Sequence, residues 1–141
     1  METGKILIVD DDEAVCNLVA LIARKCGFDS IITTDAREAL NIVENDAKIF
    51  LIITDLRMPV MGGHALVQML RNRFPYLKII VMSSDLCDEC IISIKNHVDW
   101  ILDKFDLYHG LNEILKKFRG ESLVKESVSP FKNEKNFYTT T

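Results

Sequence analysis

The sequence predicts an α/β fold in which helices cover both faces of a parallel sheet, and three observations support this class. Short runs rich in Ile and Val recur along the chain, and they are too continuously apolar for strands with one face in water. Between them lie longer segments whose apolar residues are three and four positions apart, as in amphipathic helices. The length of 141 residues suits one domain with a single hydrophobic core.

The predicted strands are short apolar runs with many β-branched residues, which pack well on a pleated surface. In chain order, they are residues 6–9, 28–33, 49–54, 77–82 and 100–102. Because strands alternate with helices, the connections are expected to be right-handed crossovers between parallel strands. Ligands of such sheets bind outside the carboxyl ends of the strands, near the point where the strand order reverses.

The predicted helices follow the strands and are marked by apolar residues at helical spacing. In chain order, these residues are Val15, Leu18, Val19 and Ile22; Ala36, Ala39, Leu40 and Val43; Ala65, Leu66, Met69 and Leu70; Ile91, Ile94 and Val98; and Leu111, Ile114, Leu115 and Phe118. Gly27 is expected to stop the first helix, and Thr34 or Asp35 to cap the second. Pro75 is expected to end the third helix.

Composition and charge exclude several classes of protein. The formal net charge is -4 and no Lys/Arg cluster follows a helix, so direct binding of nucleic acid is not expected. No apolar run reaches the roughly 18 residues of a membrane span, and the N-terminus lacks the features of a signal peptide. A cytoplasmic protein is therefore expected. Residues 1–119 are predicted to form the domain, and residues 120–141 a polar tail that is flexible or forms contacts.

The four cysteines are expected to be reduced thiols. Cys16 and Cys26 fall in helical patterns and are predicted to be buried. Cys87 and Cys90 have the spacing of a redox pair or of half a zinc site. Without a second such pair, two cysteines on one helical turn is the favoured interpretation. The histidines are expected to be ordinary surface residues: His64, His97 and His109.

Polar side chains follow four of the predicted strands. Asp10, Asp11 and Asp12 follow the first strand, Asp55 the third, Ser83 and Ser84 the fourth, and Lys104 the fifth. Clustered carboxylates repel one another, so one of them takes up a proton unless a cation joins them. Asp10, Asp11 and Asp55 offer too few oxygens for a closed cage, which suits Mg²⁺, because Mg²⁺ keeps waters and commonly shares its site with phosphate oxygens.

Such a set of groups favours phosphoryl transfer onto a carboxylate, which needs in-line positioning and neutralised charge. Lys104 and Mg²⁺ would supply the neutralisation, and Ser83 a hydrogen-bond donor. Taken singly, these residues have simpler explanations, since Asp55 alone could cap a turn. Asp12 and Glu13 are expected to begin a helix rather than to bind metal. The occurrence of carboxylates, a hydroxyl and a lysine at the ends of four strands nevertheless favours a functional site.

The segments ILIVDDDE, TDLRMPVMGG, VMSS and DWILDK occur in this order within residues 5–118. Together they resemble the signatures of the response-regulator receiver domain of two-component signalling, here of the stand-alone type. The resemblance implies a doubly wound, flavodoxin-like (βα)5 three-layer sandwich with strand order 2-1-3-4-5. It also implies a signalling domain, not an enzyme, that takes a phosphoryl group from a sensor histidine kinase or phosphotransfer protein and then binds a downstream protein differently.

The resemblance further implies a role for individual residues. Asp55 matches the phosphoacceptor, Lys104 the lysine that pairs with it, Ser83 the hydroxyl that moves to the phosphoryl group, Asp11 the direct ligand of Mg²⁺, Asp10 an acid that acts through water, and Arg57 a ligand through its backbone carbonyl. Ser84 matches a small residue that keeps the pocket open. Pro59 and Gly63 match the turn after the third strand, where the glycine can adopt backbone angles denied to other residues.

Two positions depart from the family pattern. Phe105 stands where a proline usually follows the lysine, and the Lys104–Phe105 bond is predicted to be trans, because a cis bond there costs about 2.5–4 kcal/mol. Ile101 replaces the aromatic residue that usually takes part in the switch. Trp100 cannot replace it, because successive residues of a strand point to opposite faces.

Two alternatives stay open. A pseudo-receiver would bind partners without phosphorylation, and the departures at Phe105 and Ile101 are compatible with this alternative. A haloacid-dehalogenase-like phosphatase would be phosphorylated on Asp10 instead of Asp55, although the usual Thr and a large cap domain are absent. Homodimerisation, the identity of the kinase and target, and the function of the tail are not determined by the sequence.

Overall fold

Five strands and five helices alternate along residues 4–120, the part of the chain that this computed structural model describes. Their bounds are β1 (Lys5–Val9), α1 (Glu13–Lys25), β2 (Asp29–Thr33), α2 (Ala36–Asn45), β3 (Ile49–Asp55), α3 (Gly63–Arg73), β4 (Lys78–Ser83), α4 (Glu89–Ile94), β5 (Trp100–Asp103) and α5 (Leu107–Phe118). A 3₁₀ turn, Lys104–Asp106, joins β5 to α5. Each predicted strand is present, with its ends within one residue of the prediction. The predicted tail lies outside the described residues except for Gly120.

The strands form one parallel sheet in the order β2-β1-β3-β4-β5, which confirms the predicted class and topology. The chain leaves β1 toward β2 and then returns past β1 to β3, so the order reverses between β1 and β3. The register pairs Val9 of β1 with Thr54 of β3, and Asp55 with Met82 of β4. The carboxyl ends of these strands therefore meet at one edge, where parallel sheets of this kind bind ligands.

Both faces of the sheet are covered by apolar layers. Ile6 and Ile8 of β1 pack in the layer that α1 and α5 complete, whereas Leu7 and Val9 pack in the layer of α2, α3 and α4. These four side chains are all 0% exposed, as expected for a strand buried on both faces. No helix of the described residues is both long and apolar enough to cross a membrane.

Helix ends follow the local signals of the sequence. Asp12 caps α1 by accepting a hydrogen bond from the Ala14 N–H at 2.9 Å, and Glu13 is its first residue, as predicted. Asp35, rather than Thr34, caps α2. Gly27 follows α1 with a φ of 91°, the conformation that makes glycine a common helix stop. The third helix ends two residues before Pro75.

Two of the apolar residues that mark the predicted helices are exposed. Leu18 is 45% exposed because α1 buries Cys16 and Val19, and two positions from Cys16 turn the helix by about 200°. Met69 is 39% exposed, and Val67 takes the buried position in α3. Both helices are present as predicted, but the spacing of the apolar residues fits two adjacent faces of each helix. Val98 is buried as expected but lies beyond the end of α4.

The cysteines divide into two groups. Cys16 and Cys26 are buried, as predicted. Cys87 is an exposed free thiol that precedes α4, whereas Cys90 is a half-buried free thiol within α4. The interpretation that both lie on one helical turn was therefore wrong for Cys87, because the helix begins only after Asp88.

Candidate functional site

Asp10, Asp55 and Lys104 come together at the carboxyl edge of the sheet. Asp10 follows β1, Asp55 is the last residue of β3, and Lys104 follows β5. The Lys104 Nζ atom lies 2.9 Å from Asp10 Oδ2 and 3.2 Å from Asp55 Oδ1. One ammonium group therefore faces two carboxylates, and strands far apart in sequence supply all three groups.

Asp11 completes a cluster of three carboxylates. Asp10, Asp11 and Asp55 each offer one oxygen, and these oxygens all lie within 4.8 Å of one another. Asp10 and Asp55 are buried, whereas Asp11 is exposed at the rim. The cluster thus has two carboxylates inside the edge of the sheet and one that faces solvent.

The charge of Asp55 is only partly compensated. Burial raises the pKa of Asp55 above its ordinary value of 3.8, and the charge of Asp10 raises it further, against the opposing effect of Lys104. Burial would lower the pKa of Lys104, but the hydrogen bond and charge of Asp10 and the charge of Asp55 outweigh it, so that this pKa is raised. Lys104 is therefore held as an ammonium ion, while a second positive charge near Asp55 would favour its carboxylate form.

One buried carboxylate oxygen shows how the site would receive a cation. Asp10 Oδ1 accepts a hydrogen bond from the Asp12 N–H at 2.9 Å. Asp10 Oδ2 is buried and lies 2.9 Å from the Lys104 ammonium. One ammonium does not neutralise three carboxylates, so Asp10 Oδ2 remains in a cluster with excess negative charge. Together with the hard oxygens of Asp11 and Asp55, it gives a donor set that fits Mg²⁺.

Ser83 lies at the same edge but is bonded to the loop after β4. Its Oγ donates to the Asp85 carbonyl oxygen at 2.8 Å and accepts from the Asp85 N–H at 3.0 Å. The hydroxyl is therefore held in a local turn, and it would have to leave that turn to donate toward Asp55. Ser84, the next residue, is exposed.

The turn after β3 packs closely against Asp55. A Cβ built on Gly63 would lie 2.0 Å from the Asp55 carbonyl oxygen, so glycine is required there by space. The prediction that Gly63 uses backbone angles denied to other residues was wrong, since the positive φ of this turn, 67°, belongs to Val60. Pro59 lies exposed in the same turn.

The two departures from the family pattern behave as predicted. The described residues contain no cis peptide bond, so the Lys104–Phe105 bond is trans, and the Phe105 side chain is 82% exposed. Ile101 is fully buried in the layer with α2, α3 and α4, whereas Trp100 packs in the opposite layer with α1 and α5. The indole ring of Trp100 is therefore on the wrong face to replace an aromatic side chain at Ile101.

Sequence reasoning missed the partner of the Arg57 side chain. The Arg57 guanidinium donates to Asp88 from Nε at 2.6 Å and from Nη2 at 2.5 Å. The backbone N–H of Arg57, by contrast, faces the Asp55 carboxylate and lowers the pKa of that group. Asp88 was recognisable only as a residue of the Cys-Asp-Glu-Cys segment, and nothing in its spacing predicted a contact with Arg57.

Known proteins share both this sequence pattern and this fold. The family model described as the response regulator receiver domain matches residues 6–124. The response regulator protein FleR of Pseudomonas aeruginosa is 31% identical over 129 residues, which cover 90% of this chain but 27% of FleR. The chain thus spans about a quarter of the length of that relative.

Solved structures agree with the match of sequence. A CheY-like receiver domain protein from Methanospirillum hungatei superposes with a TM-score of 0.71 and 26% identity, over 86% of this chain and 100% of that chain. The response regulator TrrA of Thermotoga maritima, solved in complex with Mg²⁺–BeF, has a TM-score of 0.70 and 23% identity, over 82% of this chain and 98% of that chain. TrrA shows that the fold is shared.

The family match extends from β1 through α5 and so includes every strand end that contributes to the acidic site. Receiver domains are signalling domains that interact with sensor kinases and downstream effectors. The sequence, the strand order and the superposition with receiver structures agree. This chain therefore belongs to the response regulator receiver domain family of two-component systems.

Proposed function

We propose that this domain accepts a phosphoryl group on Asp55 from the phosphohistidine of a sensor kinase or phosphotransfer protein, in a reaction that depends on Mg²⁺. The observation that carries the proposal is the position of Asp55, which ends β3 in a cluster with Asp10 and Asp11 and lies 3.2 Å from the Lys104 ammonium. An attacking carboxylate, a positive charge beside it and a set of hard oxygen donors are the groups that this chemistry needs.

Asp55, Lys104 and Ser83 would each have a separate role in the phosphoryl transfer. An oxygen of the Asp55 carboxylate attacks phosphorus, and the bond from phosphorus to the imidazole nitrogen breaks, so that the electron pair stays on the donor histidine. Lys104 pairs with the phosphoryl oxygens in the aspartyl phosphate, while Ser83 exchanges its contacts with Asp85 for a hydrogen bond to them. These two side chains would stabilise the negative charge that arrives with the group.

The proposed ligands of Mg²⁺ are Asp11 and Asp55 directly, Asp10 through a water molecule, and the backbone carbonyl of Arg57. When bound, Mg²⁺ would neutralise charge on the phosphoryl oxygens and hold them in line with the acceptor. The hydrogen bond from the Asp12 N–H fixes the Asp10 carboxylate, so that its other oxygen, Oδ2, is directed into the site.

The output would be a change in protein binding after phosphorylation. A cytoplasmic location is part of this proposal, and the exposed free thiol of Cys87 is in keeping with a reducing compartment. Phosphorylation of Asp10 is disfavoured as an alternative, because that side chain is wholly buried and is held by Asp12 and Lys104. The acids with Lys104 and Ser83 at one edge argue against a pseudo-receiver.

The test is incorporation of phosphate from a small donor. The full chain is incubated with acetyl phosphate, or with phosphoramidate, and Mg²⁺, and its mass is measured by mass spectrometry. We expect the mass of one added phosphoryl group, which disappears in Asp55→Asn and when Mg²⁺ is removed with a chelator. Asp46→Asn is the matched control, because it removes a carboxylate that pairs with Lys5 away from the site.

Two results would contradict the proposal. Labelling that persists in Asp55→Asn but is lost in Asp10→Asn would assign the acceptor to Asp10 and favour the phosphatase. Absence of labelling of the wild-type chain with both donors and with a phosphorylated histidine kinase would favour the pseudo-receiver.

A further inference from the structure

Arg57 connects the acidic site to the start of α4. Arg57 lies two residues after Asp55, which ends β3 at the acidic site. Its guanidinium forms a two-bonded ion pair with Asp88, at 2.6 and 2.5 Å. One residue therefore lies beside the proposed acceptor in the chain and contacts the start of α4 through its side chain.

Asp88 is the residue on which the start of α4 depends. Its Oδ1 accepts a hydrogen bond from the Cys90 N–H at 2.9 Å and so caps the helix. The Asp88 side chain is 7% exposed, whereas that of Arg57 is 68% exposed. Because α4 has only 6 residues, a change at its cap affects a large share of its backbone hydrogen bonds.

A phosphoryl group on Asp55 would compete with Asp88 for Arg57. It brings between one and two negative charges to a position close to the Arg57 main chain. A guanidinium binds phosphate oxygens in the same two-bonded geometry as a carboxylate. The Arg57 side chain is 68% exposed, so water can replace the contacts that its guanidinium leaves when it turns toward Asp55.

We propose that the Arg57–Asp88 ion pair transmits the state of Asp55 to α4: a phosphoryl group on Asp55 draws Arg57 away from Asp88, and the first turn of α4 loosens. This inference rests on the proposed phosphorylation of Asp55. It gives the chain a connection to α4 that does not use Ile101, whose aliphatic side chain is fully buried in a packed layer.

The native cysteines report on this connection. Cys90 lies in the first turn of α4, and its N–H is the group that Asp88 caps. Cys87 is exposed, and Cys16 and Cys26 are buried as internal references. The full chain is treated with N-ethylmaleimide, with and without acetyl phosphate and Mg²⁺, and the alkylation rate of each cysteine is followed by peptide mass spectrometry. Phosphoryl incorporation is measured on the same samples.

In the wild-type chain, we expect phosphorylation to raise the alkylation rate of Cys90 by about threefold or more, because local opening exposes the thiol. Asp88→Asn keeps an oxygen that caps Cys90 but removes the charge that holds Arg57. In this variant, Cys90 should react at the faster rate already, with little further change on phosphorylation. Arg57→Gln should give the same fast rate, because it removes the guanidinium that holds Asp88 while the capping carboxylate stays. The control Asp46→Asn should respond as the wild type does.

Each other outcome overturns a defined part of the argument. Incorporation without a change at Cys90 in the wild type, or a response of Asp88→Asn equal to that of the wild type, overturns the inference and leaves phosphorylation of Asp55 standing. If Cys90 is alkylated faster in Asp88→Asn but not in Arg57→Gln, the effect belongs to the helix cap alone. That result also overturns the inference. Absence of incorporation in the wild type overturns the proposed function, and this inference with it.

Discussion

The main chain of Gly63 lies directly against the carbonyl oxygen of Asp55. A Cβ at Gly63 would be 2.0 Å from that oxygen and 3.0 Å from the Asp55 carbonyl carbon. Real Cβ atoms do not come that close, and the atoms they would meet belong to backbone, which cannot rotate away. The start of α3 is thus packed against the residue that we propose as the phosphoacceptor, and the position of one depends on the other.

Gly63→Ala is therefore expected to destabilise the domain by roughly 2–3 kcal/mol, because the added methyl group forces α3 away from β3. Urea unfolding followed by circular dichroism measures this. Incorporation of phosphate from acetyl phosphate should also fall, because displacement of the Asp55 backbone shifts its carboxylate relative to Lys104.

Gly62→Ala is the matched control for this substitution. The nearest atom to a Cβ at Gly62 lies 3.5 Å away, an ordinary contact, and Gly62 has a φ of -76° that alanine adopts readily. Its free energy of unfolding should stay within about 0.5 kcal/mol of the wild type. Equal losses in the two variants would refute the packing argument.

Val60 carries backbone strain in the same turn. A φ of 67° is rare for a β-branched residue, and its side chain is 87% exposed, so no packing compensates for it. Val60→Asn should stabilise the domain by about 0.5–1 kcal/mol, because asparagine tolerates this conformation. Val60→Ile keeps the β-branch and should give no gain. A loss of stability in Val60→Asn, measured by urea unfolding, would show that Val60 makes a contact worth more than the strain.

The convergence of Asp10, Asp55 and Lys104 could be predicted because it follows from topology. Continuous apolar runs identify strands buried on both faces, and parallel strands place their carboxyl ends at one edge. A polar residue that directly follows such a strand must then lie at that edge. All three residues lie at the predicted edge. The distances of 2.9 and 3.2 Å from Lys104 Nζ to the two carboxylates could not be predicted, because they depend on side-chain conformation.

Features that depend on exposed side chains could not be predicted in this way. The Arg57–Asp88 pair joins two residues 31 positions apart, and each charge could equally have faced water. The strain at Val60 was also missed, because a positive φ is typical of glycine and a β-branched residue gives no sequence signal for it. Leu18 and Met69 are apolar and at helical spacing, but only the packed structure shows which of two neighbouring faces of each helix is buried.

The Arg57–Asp88 pair should make stability depend on pH in the acid range. The hydrogen bond from Arg57 lowers the pKa of Asp88 below its ordinary value of 3.8. The unfolded chain therefore binds a proton at Asp88 before the folded chain does, and the stabilisation is present above pH 3.8 and lost as the pH falls through the folded pKa.

Asp88→Asn cannot take up this proton, so its deficit in free energy of unfolding relative to the wild type should be constant from pH 7 to about pH 5 and should shrink below about pH 4. Urea unfolding at a series of pH values measures the difference, in which the other carboxylates largely cancel. Asp46→Asn serves as the comparison for loss of an ion pair elsewhere. A deficit that grows as the pH falls would contradict the predicted sign.

Mg²⁺ should stabilise the domain through the three-carboxylate cluster. A ligand at ten times its dissociation constant adds about 1.4 kcal/mol to the free energy of unfolding, which thermal unfolding with and without Mg²⁺ would detect. Asp11→Asn should abolish most of this gain, because it removes the exposed carboxylate of the cluster. Asp12→Asn is the matched control, since Asp12 caps α1 and asparagine caps helices equally well. Equal loss of the Mg²⁺ effect in both variants would show that the ion responds to the general negative charge after β1 rather than to a site that includes Asp11.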